Sequence, residues 1–438
     1  GAIGFNNGTL NTTATMTTAR GVTLTGAGTL ATDPGTILTL SGGLTGAGAL
    51  TKDGAGTLVL TGDAAHGGGT TIAAGMLQVG NGGTAGSLAG NVLNNGTLTF
   101  NRSDDTGFAG AITGAGNFIQ TGGGVLRLTG ASDYSGTTLI EGSELRLENG
   151  GNINSGQTRL AGPDATLTVT GAGSSLTTTE LRLGSSTAGA VTLNIADGGK
   201  VIATGTTQVS LGGAVIPGAP AHDITVNVSG AGSLWDVGGN VTVGFTSTTS
   251  ARVNVTNGAT VRSGGLILGP SLLSMTNPSD VTISGAGSTW TTGSLTVARG
   301  TLSLLDGGRL DAATGTISAA TTSQNGQGAV LISGAGSELA IAGALGISGG
   351  GREAIVTVAD GGQLSVGGLL TLAGVAAGSG TLNMGAAAGD AAAAAGTVQA
   401  ANIAFGPGTG TINFNHTETA YDFDAAMLGT GAINQLAG

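Results

Sequence analysis

The feature that most constrains the fold of this chain is its internal repetition. Residues 46–80 align without a gap with residues 114–148, and many of the leucine, isoleucine and glycine positions coincide. Residues 97–120 align with residues 411–435 through one insertion, so the same kind of module lies near both ends of the sequence. Repeats in this size range are typical of arrays that grow along one axis, in which each unit packs only against its neighbours.

A second, related unit occupies the middle of the chain. It contains a Gly-Ala-Gly-Ser motif between runs of alternating apolar and polar residues, and each copy is accompanied by an Asp-Gly or Asn-Gly turn signal. The motif recurs at intervals of roughly 50 to 60 residues, close to the periods of known repeat arrays. Its copies are GAGSSL at 171–176, GAGSLW at 230–235, GAGSTW at 285–290 and GAGSEL at 334–339. The turn signals begin at Asp197, Asn257, Asp306 and Asp360.

These patterns predict short β-strands. Alternation with a period of two places Leu, Val and Ile on one face of a strand and Thr, Asn and Ser on the other. Asp-Gly and Asn-Gly provide the positive φ angles that sharp turns require. A meander of hairpins uses the same turns, but the strands are short and numerous, the apolar residues are small, and helical periodicity is absent over nearly the whole chain. The sequence therefore predicts an all-β parallel solenoid.

The repeats also predict how the solenoid is organised along the chain. If one turn takes about 20 to 25 residues, the chain makes roughly 20 turns, a rod on the order of 100 Å long at the usual spacing between strands. We expect one continuous solenoid, with the first kind of repeat in residues 1–150, the Gly-Ala-Gly-Ser units in 151–405, and a further copy of the first kind beginning in 406–438. Because Gln435 aligns with Gln120, in the middle of a repeat, we expect the natural protein to continue beyond this sequence.

The composition fits a solenoid and excludes several other classes of protein. Glycine supplies 89 residues, but not at every third position, so the chain is not collagen-like. A mean hydropathy of +0.30 with only 8% charged residues excludes a disordered chain. The formal net charge of −11, with lysine and arginine scattered singly, argues against nucleic acid or an anionic membrane as the partner. No apolar stretch approaches the ~20 residues that span a bilayer, and the lack of cysteine excludes disulfides and thiol chemistry.

The titratable and nucleophilic residues do not form a catalytic or metal-binding pattern. The three histidines, His66, His222 and His416, are far apart in the sequence and lack metal-ligand spacing. His66 aligns with Tyr134, so we expect it to be a turn residue on the surface of a coil. The Gly-x-Ser-x-Gly around Ser348 lacks the strand-to-helix turn that a nucleophile elbow needs. We therefore predict no catalytic residue, no cofactor-binding residue and no metal ligand, and the binding residues are unknown from sequence.

Two pairs of neighbouring carboxylates allow alternative interpretations. Asp104 with Asp105, and Asp422 with Asp424, fall close together when the modules that contain them are aligned. Each pair is a candidate for calcium, but the tandem nonapeptide that binds calcium in repeat proteins is absent. We therefore expect a shared surface loop rather than a metal site or a general acid and base.

The two tryptophans also have two possible roles. Trp235 and Trp290 are candidates for exposed platforms on which a sugar ring stacks. They align with Leu176 and Leu339, which are both apolar, so we expect them to pack in the core or at the edge of a coil. The Gly-Ala-Gly triplets before them resemble phosphate-binding loops only superficially, since no helix follows them, and they predict turns.

One of the repeated segments resembles the repeat of a known protein family. The segment LTKDGAGTLVLTGDAAHGGGTTIAAGMLQVG, residues 50–80, closely resembles the passenger-associated transport repeat of bacterial autotransporters, the type V secretion proteins. The Gly-Ala-Gly-Ser units resemble repeats common in large autotransporter adhesins, and the two resemblances together cover nearly the whole chain. The residues that match the transport repeat are Lys52, Gly54, Gly56, Leu58, Leu60, Gly62, Gly68, Thr70, Thr71, Gly75 and Leu77.

The resemblance implies a fold, a location and a role. It implies a right-handed single-stranded parallel β-helix that passes through an outer-membrane β-barrel and folds on the bacterial surface, held to the membrane only by a C-terminal barrel that this sequence lacks. We expect an adhesin that binds host extracellular matrix, a cell-surface glycan or protein, or another copy of itself, without a cofactor. The alternative is a stalk that displays a functional domain located elsewhere. A polysaccharide-cleaving enzyme or a protease is less favoured, because the acidic or Ser/His groups that such enzymes need are missing.

Overall fold

The fold is described here from a computed structural model. It describes residues 1–184, 189–205, 209–211, 222–244, 249–269, 279–319, 327–350 and 353–438. The chain divides into two compact units, the first comprising Gly1–Arg182, Val191–Asn194 and Gly198–Ala203, the second comprising Leu183–Ala190, Ile195–Asp197 and Thr204–Gly438. All regular secondary structure in the described ranges is β-strand, and none of these residues form a helix long and apolar enough to span a membrane.

The strands are short in the first part of the chain and longer in the middle. Those up to residue 203 are β1 Ile3–Phe5, β2 Gly8–Thr12, β3 Met16–Thr18, β4 Val22–Leu24, β5 Gly28–Thr32, β6 Ile37–Leu40, β7 Leu44–Thr45, β8 Leu50–Asp53, β9 Thr57–Leu60, β10 Asp63–Ala64, β11 Thr70–Ile72, β12 Met76–Val79, β13 Ser87–Leu88, β14 Val92–Asn94, β15 Thr97–Asn101, β16 Thr106–Phe108, β17 Ile112–Gly114, β18 Asn117–Thr121, β19 Val125–Leu128, β20 Ala131–Tyr134, β21 Thr137–Glu141, β22 Glu144–Leu147, β23 Asn152–Ala161, β24 Ala165–Thr170, β25 Ser175–Leu183, β26 Gly189–Ala196 and β27 Lys200–Ala203.

The remaining strands are β28 Val209–Leu211, β29 His222–Ser229, β30 Leu234–Val243, β31 Thr249–Thr256, β32 Thr260–Leu268, β33 Ser279–Ser284, β34 Thr289–Val297, β35 Gly300–Leu305, β36 Arg309–Ala319, β37 Gly328–Ser333, β38 Glu338–Ile341, β39 Leu345–Gly349, β40 Glu353–Ala359, β41 Gln363–Val366, β42 Leu370–Leu372, β43 Ser379–Gly385, β44 Thr397–Ala400, β45 Asn402–Phe405, β46 Thr409–Asn415, β47 Ala426–Leu428 and β48 Ala432–Ala437.

In the first unit, one turn of the solenoid, here called a rung, generally contains three short strands. Strand β2 pairs in parallel with β5, β5 with β8, and β8 with β11, so each strand stacks on the strand three places earlier. Hydrogen-bonded neighbours on successive rungs are 20 residues apart at Ala111 and Asn91, and 24 apart at Ser87 and Asp63. The predicted parallel solenoid is therefore confirmed, and its predicted right-handedness stays a prediction.

In the second unit, many rungs are built from two long strands. Strand β29 pairs in parallel with β31, and β30 pairs with β32. Partners on successive rungs lie 27 residues apart at Asn227 and Asn254, and 29 apart at Ser263 and Thr292. The predicted 20 to 25 residues per turn is therefore wrong for these rungs. The solenoid has about 16 turns instead of the roughly 20 predicted. The boundaries predicted at residues 150 and 405 stay predictions.

The core consists of columns in which one apolar side chain stacks on the next. Leu38, Leu58, Leu77, Leu98 and Phe118 occupy equivalent positions on five successive rungs, and each is fully buried. Burying one such side chain stabilises the fold by about 1.5–3 kcal/mol. Because every rung contributes a few of these residues, stability is distributed along the axis and does not depend on one central core.

The Asp-Gly turns and the Gly-Ala-Gly-Ser motifs form one interlocked turn structure in the second unit. Asp306 has a positive φ of 53°, as predicted for the first turn residue, and Gly307 follows with a φ of 90°. The hydroxyl of Ser337, in the motif one rung further on, accepts a hydrogen bond from the Gly307 N–H at 3.0 Å and donates to the Ser333 carbonyl at 2.8 Å. The serine of the motif therefore satisfies backbone groups of the neighbouring turn, which accounts for the alternation of the two signals in sequence.

Candidate functional surfaces

The two tryptophans pack inside the solenoid. Trp235 and Trp290 are both fully buried, and their ring centroids lie 6.2 Å apart at an interplanar angle of 61°. The indole N–H of Trp290 donates to the Ser263 hydroxyl at 3.0 Å. The expectation of core packing is confirmed, and neither ring is available as a platform for a sugar.

His66 is not on the surface of a coil, so that expectation is wrong. Its side chain is only 2% exposed, and Nε2 lies 3.1 Å from the Gly69 carbonyl and 3.0 Å from the Thr70 hydroxyl. In the second repeat, Tyr134 occupies the equivalent place and its hydroxyl lies 2.6 Å from that of Thr138. Burial lowers the pKa of His66, against a smaller opposing effect of the Gly69 carbonyl. The residue lies in the loop between strands β10 and β11, directly before a turn at Gly67 and Gly68, but its side chain points into the solenoid.

The other catalytic candidates are placed separately. Ser348 lies within strand β39, not at a strand-to-helix turn. Nδ1 of His416 is 3.3 Å from a carboxylate oxygen of Glu418, and the imidazole stacks beside Tyr421 with ring centroids 4.9 Å apart. The side chain of His222 lies outside the described residues. No two of the predicted candidates for nucleophile, base and orienting acid meet among the described residues.

The first carboxylate pair is neutralised by arginine. Asp104 accepts two hydrogen bonds from Arg102, at 2.9 and 2.7 Å, and the hydrogen bond from Arg102 lowers the pKa of Asp104. Asp105 accepts from Arg127 at 2.9 Å. These ion pairs are partly exposed, so solvent screens them and they contribute little to stability. In the aligned module His416 and Glu418 take the places of Arg102 and Asp104, so the same two positions are in contact in both modules, with an imidazole in place of the guanidinium.

The second carboxylate pair shows no sign of a metal site. Asp422 and Asp424 are both exposed, on either side of Phe423, which packs edge-on against Phe414 with ring centroids 5.3 Å apart. Within the described part of the chain, no group of three or more histidine, cysteine, aspartate or glutamate residues is placed to hold a metal ion. The carboxylates therefore point to solvent from a loop that the aromatic side chain anchors.

Sequence reasoning did not anticipate that Lys52 lies in the interior. Its side chain is fully buried, and Nζ donates to three carbonyl oxygens, those of Asp53 at 2.7 Å, Gly54 at 2.7 Å and Ala74 at 3.1 Å. An ammonium group has three donors and no acceptor, so this arrangement satisfies it completely. Burial lowers the pKa of Lys52 to about 8, and the charge of Asp53 opposes that effect.

The glycines of the same motif are required by close backbone approach. A Cβ at Gly75 would lie 2.4 Å from the carbonyl oxygens of both Gly54 and Gly56, and the φ of Gly75 is 69°. A Cβ at Gly68 would lie 2.5 Å from the backbone of Gly48 and Ala49 on the previous rung. The motif therefore encodes how tightly one rung stacks on the next.

The outward-facing side chains form polar columns, in which equivalent positions on successive rungs hydrogen-bond to one another. In one such column Nδ2 of Asn383 donates to the hydroxyl of Thr357 at 3.1 Å, and Nδ2 of Asn413 donates to Oδ1 of Asn383 at 2.9 Å. Asn434 continues it by donating to Asn413 at 2.9 Å. Asn383 and Asn413 are only 1% and 5% exposed, so other parts of the chain cover this column and it is not available to a ligand.

Further rungs of the second unit carry the same kind of column. Nδ2 of Asn254 donates to Oδ1 of Asn227 at 2.9 Å, and the hydroxyl of Thr256 donates to that of Ser229 at 3.1 Å. Neighbouring strands of a sheet lie about 4.8 Å apart, so these columns present polar groups at that regular spacing. A surface of this kind makes many similar weak contacts and does not form a deep site.

Comparison with known proteins agrees with this geometry. The family model of the passenger-associated transport repeat matches residues 50–79 and 118–147, the two segments built around Lys52 and its counterpart Gln120. An autotransporter named Adhesin BmaC, from Brucella suis biovar 1 (strain 1330), is 39% identical over 361 residues. That alignment covers 69% of this chain but only 10% of the adhesin, so the chain spans about a tenth of the relative's length. No solved structure matches the chain.

The two matches cover different lengths of the chain and agree with each other. The transport repeats occur in the first unit, where Lys52 and the motif glycines fix the stacking of the rungs. The similarity to the adhesin extends over more than two thirds of the chain, well beyond the two repeats. The chain is therefore passenger sequence of the adhesin-like autotransporter class.

Proposed function

We propose that this chain acts as a non-enzymatic, surface-exposed adhesin segment whose polar columns bind other surfaces. The observation that carries the proposal is the similarity to an autotransporter adhesin over 69% of the chain. The outer columns of partly exposed Asn, Thr and Ser side chains around Asn254 and Thr256 support it, because they provide an extended binding surface. The location that follows is the bacterial surface, with the whole protein anchored in the outer membrane.

Binding through such columns would be multivalent. A single hydrogen bond contributes only about 0.5–1.5 kcal/mol net in water. Repetition along the axis allows many contacts to form together, and the effective concentration of the later contacts then raises the avidity by orders of magnitude. The classes of partner that suit a polar, weakly charged surface are host extracellular matrix, a cell-surface glycan or protein, and a second copy of this chain.

The test uses beads that display the complete chain. We expect them to aggregate, or to bind immobilised matrix proteins or host cells, more than bare beads do. A variant that places three lysines on one polar column should lose this binding, because like charges on successive rungs repel and break the column. Its substitutions are Asn254→Lys, Thr282→Lys and Ser303→Lys, at positions in register on β31, β33 and β35.

A matched control separates the column from the added charge. It carries three lysines on exposed turn alanines of the same unit and should bind as the unmodified chain does. The control substitutions are Ala231→Lys, Ala286→Lys and Ala335→Lys. If the chain does not bind while a longer passenger containing it does, the chain is a stalk and the adhesin proposal is wrong.

A further inference from the structure

The second unit has a groove on its outer surface that the polar columns do not explain. Four in-register positions form its length, Thr291 on β34, Asp311 on β36, Ala340 on β38 and Ser365 on β41. Three of these side chains carry a carboxylate or a hydroxyl, and the fourth, Ala340, ends at Cβ. The groove is therefore deepest at Ala340, between the carboxylate on one rung and the hydroxyl on another.

One wall of the groove is a fixed charged cluster. Nη2 of Arg309 lies 2.7 Å from Oδ1 of Asp311, and Nη1 contacts a carboxylate oxygen of Glu338 on the next rung. The guanidinium is planar and its N–H groups have fixed directions, so two carboxylates determine its orientation. On the far side, Gln363 donates to the Ser365 hydroxyl at 2.7 Å and holds that oxygen in place. The polar groups are therefore positioned before any ligand binds.

The floor and the far edge of the groove are small and apolar. Ala313 and Ala342 are exposed there, and Ala312 and Ile341 lie buried just beneath. Around the groove, β36 pairs in parallel with β34 on one side and with β38 on the other, and β38 pairs with β41. Because the backbone N–H and C=O groups are used between rungs, an extended peptide cannot add as a further strand. Recognition in this groove depends on side chains.

The charge of the groove selects against ionic ligands of either sign. One guanidinium is held by two carboxylates, which leaves the cluster one formal negative charge, and the chain has a net charge of −11, so an anionic group is repelled. A cationic group would have to compete with Arg309 for carboxylates that already hold it. The donors and acceptors that remain suit a neutral molecule with several hydroxyl groups, which can donate to a carboxylate and accept from a guanidinium or a hydroxyl.

We propose that this groove is a subsite for a neutral sugar residue of a glycan. The proposal rests on the adhesin function proposed above and names a ligand class for one part of the surface. Two adjacent sugar hydroxyls bind Asp311 and Arg309, the Ser365 hydroxyl binds a third, and the C–H face of the ring lies over Ala313 and Ala342. A shallow site of this kind binds one sugar weakly, and repeated binding along a polysaccharide supplies the affinity.

The experiment titrates the complete chain with three kinds of ligand and observes binding by saturation-transfer NMR. The ligands are neutral oligosaccharides of glucose, galactose and mannose, sialylated and sulfated oligosaccharides, and oligolysine. We expect at least one neutral oligosaccharide to bind and the charged ligands to bind more weakly. Binding of only an anionic glycan or only oligolysine contradicts the proposal, as does no binding at all.

Variants then assign the binding to the groove. Ala340→Met fills the deepest point and should weaken binding by about tenfold or more, a loss of about 1.4 kcal/mol. The matched control Ala329→Met adds the same side chain to another outer column, between Thr301 and Ile355, and should have no effect. If Ala340→Met does not fold, as judged by circular dichroism, Asp311→Asn tests the same groove with almost no change in shape. Equal binding by the groove variant and the control overturns the proposal.

The experiments distinguish a failure of the sugar proposal from a failure of the adhesin proposal. If the groove variants lose sugar binding while the displayed chain still aggregates or binds matrix, the sugar subsite exists and adhesion uses another surface. If the chain adheres but no neutral oligosaccharide binds, the sugar proposal is wrong and the adhesin proposal stands. Loss of adhesion in the Ala340→Met chain, but not in the Ala329→Met chain, places the groove within the adhesive surface.

Discussion

The two transport-type repeats, residues 50–79 and 118–147, build similar rungs around different buried polar groups. The first repeat buries Lys52, which donates to three carbonyl oxygens. The second has Gln120 at the same position, and its Nε2 donates to one carbonyl, that of Gly124, at 3.2 Å. Leu58 and Leu60 of the first copy correspond to Leu126 and Leu128 of the second, and Leu50 corresponds to Phe118; all six side chains are buried. The core positions around the buried polar residue are therefore apolar in both repeats, whereas the polar residue itself differs.

The difference extends to the turn that closes over each polar side chain. In the first repeat the left-handed residue is Gly75, and a Cβ there would lie 2.9 Å from Nζ of Lys52. In the second repeat the left-handed residue is one place earlier, Gly142 with a φ of 58°, and Ser143 stands where the first has Gly75. The Ser143 hydroxyl donates to the Gln120 carbonyl at 3.1 Å. The buried lysine, Lys52, is therefore accompanied by a glycine at position 75, whereas the buried glutamine, Gln120, is accompanied by a serine at the equivalent position 143.

We expect the largest loss of local stability when Lys52 is replaced by a side chain that cannot donate hydrogen bonds. Lys52→Met keeps the length of the side chain but leaves three buried carbonyl oxygens without their donor. An unsatisfied buried polar group costs about 1–3 kcal/mol, so we expect a loss of about 3 kcal/mol or more in the local free energy of opening. Hydrogen exchange of the backbone amides in residues 50–79 measures this directly.

The matched control is Lys52→Gln, which imitates the second repeat. Its amide N–H groups can still donate to part of the carbonyl cluster, so we expect a cost of about 1 kcal/mol. Exchange in residues 118–147 should change little in either variant, because stability in a repeat protein passes mainly between neighbouring units. Equal effects of methionine and glutamine would show that the three hydrogen bonds of Lys52 do not stabilise the rung.

We expect a somewhat smaller loss of stability when Gly75, which lies against Lys52, is substituted. Gly75→Ala introduces a left-handed non-glycine residue and a Cβ that meets two carbonyl oxygens at 2.4 Å. We expect a cost of about 2–3 kcal/mol from the strain and the backbone shift. Ser143→Ala at the equivalent position loses a single hydrogen bond and should cost only about 1 kcal/mol. Urea unfolding of the complete chains, followed by circular dichroism, gives the comparison, and a larger loss for Ser143→Ala contradicts it.

Much of the fold could be predicted from the sequence because its signals are local. Alternation placed the core leucines, and the Asp-Gly signal at Asp306 placed a turn with the expected positive φ. The equivalence of Trp290 with a leucine correctly placed its ring in the core. The first two inferences use residues within a few positions of one another, where strand geometry and turn geometry act directly, and the third uses the repetition of the same motif along the chain.

The buried polar residues could not be predicted so easily, because their environment comes from neighbouring rungs. Lys52 shares the inward face of strand β8 with Leu50, and this parity was the available signal. His66 has the same inward parity as the buried Ala64, but strand β10 ends at Ala64, and the letters Ala-Ala-His-Gly show no alternation of apolar and polar residues that would reveal it. The groove depends on Ala340 lying in register with Asp311 and Ser365, and rungs in this region differ in length, so spacing in sequence does not reveal it.

The smallest expected effect is a pH dependence of the local stability, and only the first repeat should show it. Burial lowers the pKa of His66 below its ordinary value of 6.5, so between the folded value and 6.5 the unfolded chain binds more protons than the folded chain. The stability of this rung is therefore fully present above pH 6.5 and decreases as the pH falls below it. Tyr134, the counterpart in the second repeat, has its pKa raised by burial and stays neutral throughout this range.

Hydrogen exchange on either side of this window tests the difference between the repeats. After correction for intrinsic exchange rates, the amides of residues 63–72 should lose protection from about pH 7.5 to about pH 5, whereas those of residues 131–140 should change less. His66→Tyr copies the second repeat and should remove the difference, because a phenol does not take up a proton on acidification. If the His66→Tyr chain keeps the same acid dependence, the proton binds elsewhere, and the buried imidazole does not account for it.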